Sequence, residues 1–157
     1  MLSNAHPALP LPIEPEGVTT DWLQRALGVP IAHSRIEDVI LGTSTKIRVR
    51  LDSGGALPDT LIVKGGFEEH SPKMKEMYAN EIAFYRDVQP AVPIRSPRCW
   101  FARSDTDPAS HQSIVIMEDL VAAGVTFLHA QRPQAFEPIA RRMRALARFH
   151  AATWNDP

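Results

Sequence analysis

The chain has 157 residues, enough for one domain or one lobe of a larger one, and enough to bury roughly two-thirds of its unfolded surface. Hydrophobic residues make up 44% and charged residues 22%, an ordinary globular composition, and the net charge of -1 gives no overall pull toward nucleic acid or an anionic membrane. The single cysteine, Cys99, excludes an internal disulfide and fits a reducing, cytoplasmic compartment; the first residues carry no basic region followed by an apolar core, so no secretory leader is expected, and no apolar run approaches the roughly 18 residues of a membrane helix.

Residues 1–19 carry Pro7, Pro10, Pro12 and Pro15, which remove amide donors and predict an extended arm. A short helix follows, with Thr20 as N-cap, an apolar stripe of Trp22, Leu23, Ala26 and Leu27, and Gly28 and Pro30 as its stop. Three strands come next: Ile36–Leu41, Lys46–Leu51 and Leu61–Lys64. The second alternates, with Ile47, Val49 and Leu51 on one side and Lys46, Arg48 and Arg50 on the other. Gly42-Thr43-Ser44-Thr45 forms the first turn and Asp52-Ser53-Gly54-Gly55 the second, so the three strands read as an antiparallel meander.

A second helix opens with Ser71 as N-cap and Pro72 at its first position. Met74, Met77, Tyr78, Glu81, Tyr85 and Val88 are spaced to share one face, and Pro90 and Pro93 end it. Arg98–Ala102 and the β-branched run Ser113–Met117 predict two more strands around a polar turn at 104–111. Glu118-Asp119-Leu120 follows at once. After a looser stretch, a long helix begins near Pro133, with Phe136, Ile139, Met143, Leu146, His150 and Trp154 on its apolar stripe.

In this order, the motifs Ile40-Leu41-Gly42-Thr43-Ser44-Thr45, Leu61-Ile62-Val63-Lys64-Gly65, Asn80-Glu81-Ile82-Ala83-Phe84-Tyr85-Arg86, Ile116-Met117-Glu118-Asp119-Leu120 and Leu146-Ala147-Arg148-Phe149-His150-Ala151 resemble the aminoglycoside phosphotransferase and choline-kinase-like superfamily, nearest its ecdysteroid-kinase-like branch. The resemblance implies an α+β fold: a protein-kinase-like N-terminal lobe, with a five-stranded antiparallel sheet and one packed helix, plus the first helix of a truncated C-terminal lobe. It divides the chain into an arm (1–19), a nucleotide-binding lobe (20–120) and a linker with the first helix of a second lobe (121–157). It implies ATP or GTP with Mg2+ as cofactor, a small-molecule hydroxyl as phosphoryl acceptor, and no nucleic-acid or membrane partner.

Phosphoryl transfer needs held phosphates and spread negative charge more than covalent help from the protein. Lys64 ends an apolar strand, and Glu81 sits on the apolar side of its helix between Met77, Tyr78 and Tyr85. Each charge is costly there alone, and a Lys64–Glu81 pair resolves both, leaving the lysine to serve the α- and β-phosphates. The alternative is a strand-end surface lysine and a glutamate that snorkels to water. Gly42, Thr43, Ser44 and Thr45 are the phosphate cover, one glycine for close approach and three hydroxyls to donate; the alternative is an ordinary polar hairpin turn. By the resemblance, the Glu118 carbonyl and the Leu120 amide hold the base at a hinge.

Several tempting spellings carry less. Glu118 and Asp119 as a metal pair would point opposite ways at a strand end, so no metal site is assigned. His150 reads as a packed histidine of the last helix, Asp105 and Asp107 as a solvated turn, and Cys99 as a strand thiol without a base. The arginines of the last helix read as a solvated face. No His-Gly-Asp-type loop is spelled, so the chain alone is expected to bind nucleotide weakly, not to turn over, and to self-associate through its last helix. A non-catalytic binding or interaction module that reuses the lobe is the competing function.

Overall fold

The computed structural model describes residues 9–107, 109–129 and 131–154. Residues 1–8 of the expected arm, Pro108 of the polar turn and Asn155–Pro157 lie outside the described residues. Five strands form one antiparallel sheet in the order β1 (His33–Ile40), β2 (Thr45–Asp52), β3 (Thr60–Gly65), β5 (Ser113–Glu118), β4 (Cys99–Ser104). The first three make the expected meander. The chain then leaves β3 through a helix and returns as β4, the far edge, before β5 fills the gap.

The period-2 alternation of β2 sets the two faces of the sheet. Ile47, Val49 and Leu51 are buried, and register places Ile47 opposite Val63 and Val49 opposite Leu61. Val63 in turn faces Ile116, and these residues with Phe101 form one core. Lys46, Arg48, Ile62 and Lys64 lie on the other face, continued by Val115 and Met117 of β5. A bulge between Cys99 and Phe101 lets β4 give Cys99 to one face and Phe101 to the other.

The first face is covered by α1 (Thr20–Leu27) and by the arm. The N-cap of α1 is Thr19, whose hydroxyl accepts from Trp22 N at 3.2 Å, one residue before the expected Thr20. Thr20 instead bonds the Ser34 hydroxyl at 2.7 Å. Gly28 closes α1 at φ 66°, a left-handed conformation that costs little without a Cβ. The arm, in its described part, packs down: Leu9, Leu11 and Val18 are buried in the same core as Trp22 and Leu23. Pro15–Gly17 departs from the expected extended arm as a 3-10 turn, closed by Val18 N donating to Pro15 O at 3.0 Å; ahead of it an extended proline-rich stretch lacks such bonds, so its carbonyls need outside donors. Trp22 Nε1 serves Pro10 O at 2.9 Å, Gln112 Nε2 serves Pro12 O at 2.6 Å, and Arg103 serves Leu9 O.

The second face carries α2 (Lys75–Ala83), entered by a 3-10 turn over Ser71–Met74 and left by a π-helical turn over Phe84–Val88. Pro90 lacks an N–H and crowds the carbonyl four residues back, which favours the wider turn just ahead of it. Ser71 is not the cap expected of it; its buried hydroxyl accepts from Glu68 N at 3.0 Å. The buried stripe of this segment is Tyr78, Ile82 and Tyr85, whereas Met77 is 41% exposed. Ile82 and Tyr85 pack on Val115 and Met117, so the segment covers the β5 half of the face and leaves β2 bare. The last helix, α3 (Phe136–Thr153), starts three residues after Pro133 and buries none of its residues. Among the described residues no helix is long and apolar enough to cross a membrane.

Candidate functional site

Where α2 stops covering the sheet, a cleft of about 320 Å³ opens between Lys46, Arg48 and Lys64 on the strands and Glu81 on the helix. Met117 through Leu120 close it behind, and Phe127 stands on its linker side. Lys64 Nζ donates to Glu81 Oε1 at 2.7 Å, with the side chains 23% and 26% exposed. The pair that both placements called for is thus formed, at the cleft wall rather than deep in the core. Neither charge carries the full desolvation cost of an interior ion, and both remain reachable by a ligand.

The Gly42–Thr45 turn joins β1 to β2 just ahead of Lys46 and is tied to the helix. Tyr78 donates its hydroxyl to Thr43 O at 2.6 Å, so the helix stripe holds the turn directly. The three hydroxyls do not act alike. Thr43 is exposed, but Ser44 and Thr45 are buried, and Thr45 Oγ1 donates to Glu68 at 2.6 Å. In this arrangement Thr45 has no proton to offer a phosphate. Gly42 is exposed, and a Cβ there would meet nothing nearer than Lys46 Nζ at 3.5 Å. Packing alone therefore does not require a glycine at this position. Gly66 is the opposite case: a Cβ there would lie 2.6 Å from the Tyr78 ring.

The expected hinge rests on Asp119, a member of the Ile116–Leu120 motif to which the sequence assigns no contact of its own. Asp119 is 4% exposed and accepts from Arg48 Nε at 2.9 Å, while its other oxygen caps the N–H groups of Val121 and Ala122. Burial opposes its charge. Arg48, with the two backbone donors, outweighs burial and holds the carboxyl below its ordinary 3.8. Glu118 turns to a different partner, accepting from Arg98 N at 3.2 Å. Among the described residues no group of three or more His, Cys, Asp or Glu is placed to hold a metal ion.

The remaining residues fall outside the cleft. His150 is exposed on α3, not packed as expected, because nothing described covers that helix. Asp105 and Asp107 accept from backbone N–H groups two residues on, as a solvated turn does. Burial pushes the Cys99 thiol up to about 12. On α3, Arg144 pairs with Glu137 at 2.9 Å. A second hollow, about 410 Å³ between His33, Arg35, Arg50 and Asp59, lies at the far ends of β1 and β2, away from Lys64.

Residues 40–155 match the family model described as the ecdysteroid kinase-like family. No curated protein and no solved structure matches the chain. The match spans well over half the sequence and takes in the turn, Lys64, Glu81 and the Glu118–Leu120 segment, so the chain belongs to the ecdysteroid kinase-like family, with the sheet and helix of a kinase-like N-terminal lobe.

Proposed function

We propose that residues 20–120 are the nucleotide-binding lobe of a small-molecule phosphotransferase that moves the γ-phosphoryl of ATP or GTP to an acceptor hydroxyl. Residues 121–157 then form the linker and first helix of a second lobe, and the described arm belongs with the first. The observation that carries the reading is the Lys64–Glu81 pair, 2.7 Å across the cleft wall. A fixed ammonium at the end of an apolar strand offers a positioned charge to phosphate oxygens, and such positioning is most of what phosphoryl transfer asks of a protein.

The base lies at the other end of the same cleft. Leu61 pairs with Glu118, three residues along β3 from Lys64, which puts the backbone positions of hinge and lysine about 10 Å apart at strand rise. That leaves room for a base and sugar between the Glu118 carbonyl and Leu120 amide at one end and Lys64 at the other. The polyphosphate fits the described residues. Magnesium does not, since no acidic cluster is present among them; its ligands are assigned to a second lobe, and no step is drawn through it. The exposed apolar residues of α3, Phe136 and Met143 among them, support self-association at high concentration.

Calorimetry with ATP and GTP on the chain tests the nucleotide reading. Weak binding is expected, falling at least about tenfold in Lys64→Ala, an effect of the size of a lost charge-assisted contact. Binding indifferent to Lys64→Ala removes the lysine from the site and the reading with it.

A further inference from the structure

Lys46 lies directly opposite Lys64 in the β2–β3 register, on the same face of the sheet. Opposite residues of an antiparallel pair hold their Cβ atoms roughly 5 Å apart, and like charges placed so destabilise a sheet. The fold gains nothing from this juxtaposition, and the two lysines are treated differently. Glu81 compensates Lys64. Among the described residues no carboxylate lies within 4.0 Å of Lys46 Nζ; its bond goes to a neutral acceptor, Ser44 O, at 2.9 Å. That carbonyl belongs to the Gly42–Thr45 turn, and the position a Gly42 Cβ would occupy is 3.5 Å from the same Nζ. Lys46 also lines the cleft beside Arg48 and Lys64.

We infer that Lys46 is a second phosphate-binding residue of this cleft, gripping the polyphosphate from the turn side while Lys64 holds it from the helix side. The inference rests on the nucleotide reading and adds a contact to it. An ammonium parked on a carbonyl needs only a rotation of its flexible stem to exchange that acceptor for a charged one. The glycine that packing does not require then has a reason, since it keeps the backbone beside Lys46 open for a phosphate to approach.

The test compares the chain with Lys46→Gln, Lys46→Arg and Lys64→Ala, titrating ATP, adenosine and inorganic tripolyphosphate, with a thermal melt of each. Lys46→Gln is expected to weaken ATP and tripolyphosphate at least about fivefold, to leave adenosine unchanged and to leave the melting temperature equal or higher, with Lys46→Arg close to the parent. A merely structural lysine would instead lower the melting temperature and leave the ATP-to-adenosine ratio alone, which overturns the inference. If Lys46→Gln binds ATP like the parent while Lys64→Ala does not, the inference falls and the nucleotide reading stands. Lys46-dependent binding of tripolyphosphate with no added affinity for ATP keeps the phosphate site and sinks the nucleotide reading. No binding of any probe by the parent overturns both.

Discussion

Replacing Arg48 by methionine keeps the aliphatic stem and removes the guanidinium that meets Asp119 at 2.9 Å. The Asp119 side chain is 3% exposed and Arg48 is 21% exposed, so the change strands a carboxylate with almost no access to water. Breaking a buried pair from one side costs roughly 3–5 kcal/mol. Asp119 keeps its bonds from Val121 N at 3.1 Å and Ala122 N at 3.4 Å, which moderates the loss, and about 2–3 kcal/mol is expected at pH 7. The pH dependence identifies the cause. In the parent the Asp119 carboxyl is held below its ordinary 3.8, so its contribution is complete above that value and is lost as pH falls through the lower folded one. Without the guanidinium, burial raises the carboxyl instead; it takes up a proton at milder acidity, and the penalty shrinks between pH 7 and pH 4. Urea unfolding of both chains at the two pH values, followed by the fluorescence of buried Trp22, measures this. A penalty below about 0.5 kcal/mol at pH 7, or one equal at both pH values, refutes the pair as the anchor of the hinge.

Gly66→Ala puts a Cβ 2.6 Å from the Tyr78 ring and 3.1 Å from Ser71 Cβ, and is expected to cost about 1–3 kcal/mol and to speed hydrogen exchange at the Gly42–Thr45 turn, which Tyr78 holds; an unchanged turn would break that link. The Cys99 thiol, raised by burial from 9.0 to about 12, should be alkylated about a thousandfold more slowly in the folded chain at pH 8 than in urea, and folding stability should decline as pH rises above 9; native labelling within tenfold of the unfolded rate would contradict its burial.

Local patterns and isolated misfits were legible in the sequence. The alternation of β2 needed only its own eight residues, and Lys64 and Glu81 declared each other because each was out of place among apolar neighbours. Relations that depend on three-dimensional register were not legible. Arg48 and Asp119 are 71 residues apart, and nothing local marks Arg48 from Lys46 or Arg50 on the same strand face. Helical spacing could not decide whether Met77 or Ile82 joins the buried stripe, since both neighbour Tyr78 and Glu81; the positions of Val115 and Met117 decide it in favour of Ile82. The prolines of the arm report what a segment cannot bond internally, and say nothing of donors such as Gln112, one hundred residues away. The stripe of α3 was read correctly as apolar, yet His150 was placed in a core that the described chain does not provide.

The division of the sheet into a covered and a bare half explains why the site stands where it does. Period-2 alternation sends every β2 residue the core does not use to the opposite face, so the segment that supplies Ile47, Val49 and Leu51 inward supplies Lys46, Arg48 and Arg50 outward. Because α2 packs over β5, it does not roof those cations. Clustered cations repel, and the fold answers most of that repulsion one contact at a time: Glu81 meets Lys64, Asp119 and Asp38 meet Arg48, and Glu37 meets Arg50. Among the described residues Lys46 bonds the Ser44 carbonyl and meets no carboxylate. The proposed phosphate site asks for positive charge left uncompensated, and among the described residues around this cleft that charge sits on Lys46 at the start of β2, beside the exposed Gly42.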